Sequence, residues 1–142
     1  MSQENVEIVR RAWEAAASRP PDFQTVNTLY HPDHVLQSDF GAIEARTYRG
    51  ATGYAQALAD MNEAWDEWTQ EIDELIDAGP QSVVIAARLV ARGKRSTTPV
   101  ERRYGVVVSL RGGKIISTQA FLSVPEALEA AGLSEQDAHA DS

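Results

Sequence analysis

The sequence predicts an α+β domain, with helices in its first half and a long antiparallel sheet in its second. Three observations predict it. Arg102 to Leu122 forms two apolar runs joined by Gly112-Gly113, and two glycines supply the positive φ that a tight hairpin needs at both central positions. Ser82 to Gly93 alternates: Val83, Ile85, Ala87, Leu89 and Ala91 form one wholly apolar face, while Val84, Ala86, Arg88, Val90 and Arg92 form a mixed one. Upstream, Val6, Val9 and Trp13, then Tyr54, Leu58 and Met61, recur at three- and four-residue spacing, which marks helices that bury one side.

Taken in order, Ser2 to about Ser18 reads as a helix with Ser2 as N-cap, stopped by Arg19-Pro20-Pro21. A shorter helix carries Phe23, Val26, Leu29 and Tyr30 and ends at His31-Pro32, because the residue before proline avoids the helical region. Val35 to Phe40 reads as a short strand with Val35, Gln37 and Asp39 on its inner face. A turn at Tyr48-Arg49-Gly50 opens a third helix whose stripe runs through Trp65 and Trp68, with Asp60, Glu63, Asp66 and Glu67 on its wet side.

A half-polar strand to Ile76, a turn at 77–80, the strand 82–93 and the hairpin follow. In the hairpin Tyr104, Val106, Val108 and Leu110 point inward, and Ile116, Thr118, Ala120 and Leu122 share a face in the second arm. Ser123-Val-Pro-Glu126 is a capping box that opens a short helix closed by Gly132. The outer sheet face would then expose Val84, Val90, Val107 and Phe121, enough apolar surface to predict a homodimer through that face.

Composition bounds the function. A chain of 142 residues, 43% apolar and 24% charged, predicts a single domain over 1–133 with 134–142 as a disordered tail. No stretch approaches the roughly 20 apolar residues of a membrane span, and the acidic N-terminus has no signal-peptide core, so a cytoplasmic location is expected. Cysteine is absent, which removes disulfides and thiolate chemistry. The net charge of -8 opposes nucleic-acid binding. Arg92, Lys94, Arg95, Arg102 and Arg103 bracket residues 96–99 and read as a solvated hairpin end. Arg111-Gly-Gly-Lys114 joins strands and opens no helix, so it is no phosphate loop. His31, Asp33 and His34 lack a clear further ligand and read as a surface turn around Pro32-Asp33; neither metal nor cofactor is expected.

The motifs ENVEIVRRAWEAA near the start, His31-Pro32-Asp33, Tyr48-Arg49-Gly50, IDAG at 76–79, the GGKI hairpin and EALEAAGL at 126–133 resemble the SnoaL-like and ketosteroid isomerase-like branch of the nuclear transport factor 2-like superfamily. The resemblance spans residues 3–133 and implies a cystatin-like cone: N-terminal helices packed in a curved antiparallel sheet, a short C-terminal helix, and an apolar cavity between them. It implies a catalytic base at Asp39, whose carboxyl would be raised in pKa by desolvation in such a cavity. The isomerase's oxyanion-binding tyrosine falls at Trp13 and its protonated aspartate at or near Val106, while the cyclases' catalytic aspartate falls at about Ala120. Valine and alanine donate no hydrogen bond. The epoxide hydrolases of this fold use an Asp-Arg-Asp set that is not matched, since Arg88 lies on an outward-facing position.

The expected site is therefore Asp39 as base, with Trp13, Tyr30, Gln37, Tyr54, Leu58, Met61, Tyr104, Val106, Thr118, Ala120 and Leu122 around a hydrophobic small molecule. Two functions fit. One is cofactor-free proton transfer of the isomerase, cyclase or lyase type; the other is a non-catalytic ligand-binding or dimerisation domain that lost its catalytic set.

Overall fold

The computed structural model describes residues 2–18, 20–38, 46–93 and 97–133, and all structural statements below concern these. The elements are α1 (Ser2–Ala17), α2 (Phe23–Leu29), β1 (Tyr30–Ser38), β2 (Arg46–Arg49), α3 (Gly50–Ala64), β3 (Trp65–Asp77), β4 (Ser82–Gly93), β5 (Val100–Arg111), β6 (Lys114–Phe121) and α4 (Val124–Ala130). One six-stranded sheet runs in the order β2-β1-β6-β5-β4-β3. This is the expected α+β cone fold with one correction: β1 pairs with β6 in parallel, so the sheet is mixed and not wholly antiparallel.

The long strands follow from their patterning. β4 occupies the span its alternation predicts, and Val83, Ile85, Ala87, Leu89 and Ala91 are all buried in one core with Val9 and Ala12 of α1 and with Tyr104, Val106, Val108 and Leu110 of β5. Gly112 and Gly113 have φ of 59° and 77°, and Arg111 pairs with Lys114 across them, which makes the expected two-residue hairpin.

Elsewhere local chemistry overrides the periodicity. α2 begins at an Asp22 cap, whose carboxylate accepts from the Thr25 N–H at 3.1 Å and the Thr25 hydroxyl at 2.6 Å; these bonds lower the Asp22 pKa. It ends at Leu29, so Tyr30 starts β1 and Pro32 lies within the strand, where the pairing register with β6 shifts between Tyr30 and Val35. Tyr48 and Arg49, expected in a turn with Gly50, belong instead to the short strand β2 against β1. α3 stops at Ala64, which moves Trp65 and Trp68 from the helix onto β3.

The outer face of the sheet is not left bare. α4 lies on it, with Ala127 and Leu128 buried against Val84 and Ile76 and flanked by Val107, Phe121 and Val124. Gly105 permits this approach: a Cβ there would lie 2.6 Å from the Ala127 Cβ and 2.8 Å from the Ser123 carbonyl oxygen. α4 is capped as expected, Ser123 Oγ accepting from the Glu126 N–H at 3.3 Å, and Leu133 N–H returns to the Leu128 carbonyl at 2.8 Å past Gly132, φ 82°. Val84, Val107 and Phe121 are thus covered by the chain's own helix, which removes most of the apolar surface from which the dimer was expected.

The other part of the outer face is charged. Arg88 reaches Glu71 at 3.1 Å, Asp73 at 3.2 Å and Glu101 at 3.3 Å, and Arg92 reaches Asp66 and Glu67. Arg92 and Arg103, placed by the sequence in a solvated basic cluster, are paired with acids of β3, while Lys94 and Arg95 lie outside the described residues. The tail 134–142 also lies outside them. No described helix is long and apolar enough to cross a membrane.

Candidate functional site

The inner face of β4, β5 and β6 is concave toward α1 and α3, and the helices do not fill it. A cavity of about 610 Å³ remains between them. Its apolar walls come from Val9, Ala12 and Trp13 of α1, Leu58 and Met61 of α3, and Ile85, Val106, Val108, Ile115 and Ala120 of the sheet. Polar atoms enter from Tyr30, Tyr48, Tyr54, Asp60, Tyr104 and Thr118.

Nine expected residues meet there: Trp13, Tyr30, Tyr54, Leu58, Met61, Tyr104, Val106, Thr118 and Ala120. Two do not. Gln37 is exposed, because the inward positions of β1 are His34 and Leu36, so the odd-numbered inner face expected for this strand is wrong in parity. Leu122 is 54% exposed, since β6 ends one residue earlier at Phe121. Asp39, the expected base, lies outside the described residues.

A bulge explains the ambiguous arm of the hairpin. Ser109 pairs with Ser117 but Leu110 pairs with Ile115, so Ile116 is extra. Ile115 therefore faces inward with Thr118 and Ala120, where strict alternation places it outside.

Trp13, expected where the isomerases carry an oxyanion-binding tyrosine, directs its indole N–H to the Gln70 carbonyl at 3.3 Å, which fixes the ring as cavity wall. Tyr30, Tyr48, Tyr54 and Thr118 bring polar groups to the β1 side of the cavity, while Glu63, Thr69, Gln70 and Tyr104 line it from α3, β3 and β5. Tyr30 and Tyr54 meet edge-on with centroids 5.4 Å apart. Desolvation raises the Tyr30 pKa well above normal and raises that of Tyr54 to about 12, so both remain protonated donors. Burial raises Tyr104 likewise. Tyr48 donates to Asp60 Oδ2 at 2.6 Å, and Gln56 donates to Asp60 Oδ1 at 2.8 Å. Asp60, assigned by helical periodicity to the wet side of α3, therefore lines the cavity as an acceptor already engaged by two donors.

His34 is the residue the sequence reading misplaced most. It is 2% exposed inside β1 and not on a surface turn. Its Nε2 lies 3.0 Å from Thr118 Oγ1, its ring packs edge-on to Tyr30 with centroids 4.4 Å apart, and burial lowers its pKa to about 4. Behind it a second cavity of about 220 Å³ is lined by His31, His34, Gly50, Lys114 and the same two tyrosines. The signal was Leu36: the leucine of this strand has the same parity as His34. No group of three or more metal-ligating side chains occurs among the described residues.

Residues 9–118 match the family model of the SnoaL-like domain. The chain belongs to the SnoaL-like family. Solved structures agree on its fold. A nuclear transport factor 2-like protein of Burkholderia thailandensis is 28% identical, with a TM-score of 0.70 over 86% of this chain and 95% of its own. TerC, crystallised with polyporic acid, is 16% identical with a TM-score of 0.73 over 91% of this chain and 98% of its own. A hypothetical protein of Catenulispora acidiphila with a ketosteroid isomerase-like fold, in complex with trimethylamine, is 22% identical with a TM-score of 0.68 over 89% of this chain and 93% of its own. No curated protein matches this SnoaL-like sequence.

Proposed function

We propose that this SnoaL-like domain binds a hydrophobic small molecule in the cavity between α1, α3 and the sheet. The observation that carries the reading is the cavity itself: about 610 Å³, walled by Trp13, Met61, Val106 and Ala120, with tyrosine and threonine hydroxyls among its lining residues. That is the make-up of a small-molecule site, an apolar enclosure with a few convergent polar groups. Two fold relatives crystallised with small molecules, polyporic acid and trimethylamine, support it. Trp13 and Trp68 both line the cavity, so ligand entry is expected to change intrinsic fluorescence in a saturable manner. A panel of apolar aromatic and alicyclic compounds that leaves the emission unchanged eliminates the reading.

The second reading adds chemistry. The resemblance to the isomerases supports it: a carboxylate at Asp39, which lies outside the described residues, would serve as base for proton transfer next to a carbonyl, without cofactor. The reaction class would be isomerase, cyclase or lyase. An NMR titration of the Asp39 carboxyl, assigned by comparison with Asp39→Asn, tests it: a pKa of about 5.5 or higher supports a desolvated base, and a value at or below about 4 rejects it in favour of the binding domain.

A further inference from the structure

We propose that Thr118 and His34 together form the polar anchor of the cavity, Thr118 touching a hydroxyl group of an otherwise apolar, uncharged ligand and His34 holding the Thr118 hydroxyl in place. The inference rests on the ligand-binding reading above and specifies the ligand it takes.

The geometry separates the two roles. Thr118 lines the large cavity, whereas His34 lines only the smaller one behind it. Their 3.0 Å contact runs from one cavity wall to the other. A threonine hydroxyl has one donor and two acceptor sites, so the bond to His34 leaves hydrogen-bonding capacity on the cavity side. His34 is 2% exposed, wedged against the Tyr30 ring, and cannot rotate freely, which restricts the rotor it holds. Thr118 neighbours Val108 across β5 and Leu36 across β1, so its polar atom is set in apolar surroundings.

A ligand hydroxyl suits this anchor because it can donate or accept and so fits either ring tautomer of His34. An anionic ligand does not suit it: among the described residues the cavity is lined by the acidic Asp60 and Glu63 and by no lysine or arginine. Specificity follows from the cost of leaving a desolvated hydroxyl without a partner.

The test uses the matched probes tetralin and 1-tetralol, which differ by one hydroxyl, with affinities read from tryptophan fluorescence of the full chain. In Thr118→Val the tetralol-to-tetralin affinity ratio is expected to fall about fivefold or more relative to the native protein, the range of one net hydrogen bond. Thr118→Ser is expected to keep the native ratio. His34→Phe is expected to lower it and His34→Gln, whose amide can still bond the hydroxyl, to restore it; a role in packing alone would not be rescued this way. Where Thr118→Val leaves His34 unpaired and fails to fold, the double variant His34→Phe/Thr118→Val removes both partners and carries the same expectation. An unchanged ratio in the Thr118→Val or double variant, with both probes still bound, overturns the anchor and leaves the cavity reading intact. An unchanged ratio in His34→Phe overturns the positioning role of His34. If neither probe binds the native protein, the cavity reading fails, and the anchor with it.

Discussion

Gly105 of β5 and Ala127 of α4 approach so closely that a Cβ on the glycine would stand 2.6 Å from that of the alanine, with the Val124 Cα at 2.9 Å. Two of the atoms that a Cβ would meet belong to the α4 backbone and its cap, so the helix would have to lift off the sheet as a unit. Gly105→Ala is therefore expected to destabilise the fold by about 1–3 kcal/mol, the usual cost of overpacking. Thermal or urea unfolding reads it. Ala127→Gly in the same chain should recover only part of the loss, because the Ser123 and Val124 contacts remain; a Gly105→Ala protein of native stability would show that α4 is not docked as described.

His34 makes stability fall on acidification. Its pKa is about 4 in the folded chain against 6.5 for an ordinary histidine, because burial disfavours the imidazolium. Between those values the unfolded chain binds the proton that the folded chain refuses, so stability is full above about pH 6.5, declines as pH drops toward 4, and levels off below for this group. The shift corresponds to about 3 kcal/mol. Urea unfolding from pH 7 to pH 4 measures the slope, and His34→Gln should flatten it in that window. A slope identical in the two proteins would place the acid sensitivity elsewhere.

The Tyr48 to Asp60 hydrogen bond, 2.6 Å, ties the short strand β2 to α3 beside the cavity. Tyr48→Phe removes the hydroxyl and leaves the Gln56 bond to the same carboxylate. A loss of about 1–2 kcal/mol is expected, in the range of a hydrogen bond to a charged group. Chemical denaturation measures it, and a change under about 0.3 kcal/mol would mean that water replaces the tyrosine without loss.

Much of this architecture was legible in the residues, and the exceptions have physical causes. β4 could be read to the residue because five alternate positions are apolar, and the Gly112-Gly113 turn because both glycines need positive φ. The parity of β6 was not legible, since a bulge at Ile116 is set by pairing with two different strands and leaves no mark on either alternation. Trp65 and Trp68 fit a helical stripe equally well until the backbone extends at Trp65, φ -126° and ψ 140°. Nine of the expected cavity residues follow from facing the core, whereas His34 and Asp60 were missed because polar residues were assumed to seek water.

The outer face supplies the last expectation. A homodimer through it must now use the part that α4 leaves open, where Val90 is set among Arg88, Arg92, Glu101 and Arg103. These charges already form intrachain pairs, Arg88 with three acids among them, and the acids hold the Arg88 and Arg92 pKa values above normal. An interface built there would exchange such pairs between copies, and exposed pairs of this kind are weakened by screening. Any dimer formed through this part of the face is therefore expected, in sedimentation velocity, to loosen as salt rises to about 0.5 M, with Arg88→Ala weakening it further. A dimer indifferent to salt would place the interface on apolar surface, and a monomer at every concentration would show that α4 has taken the place of a partner on this sheet.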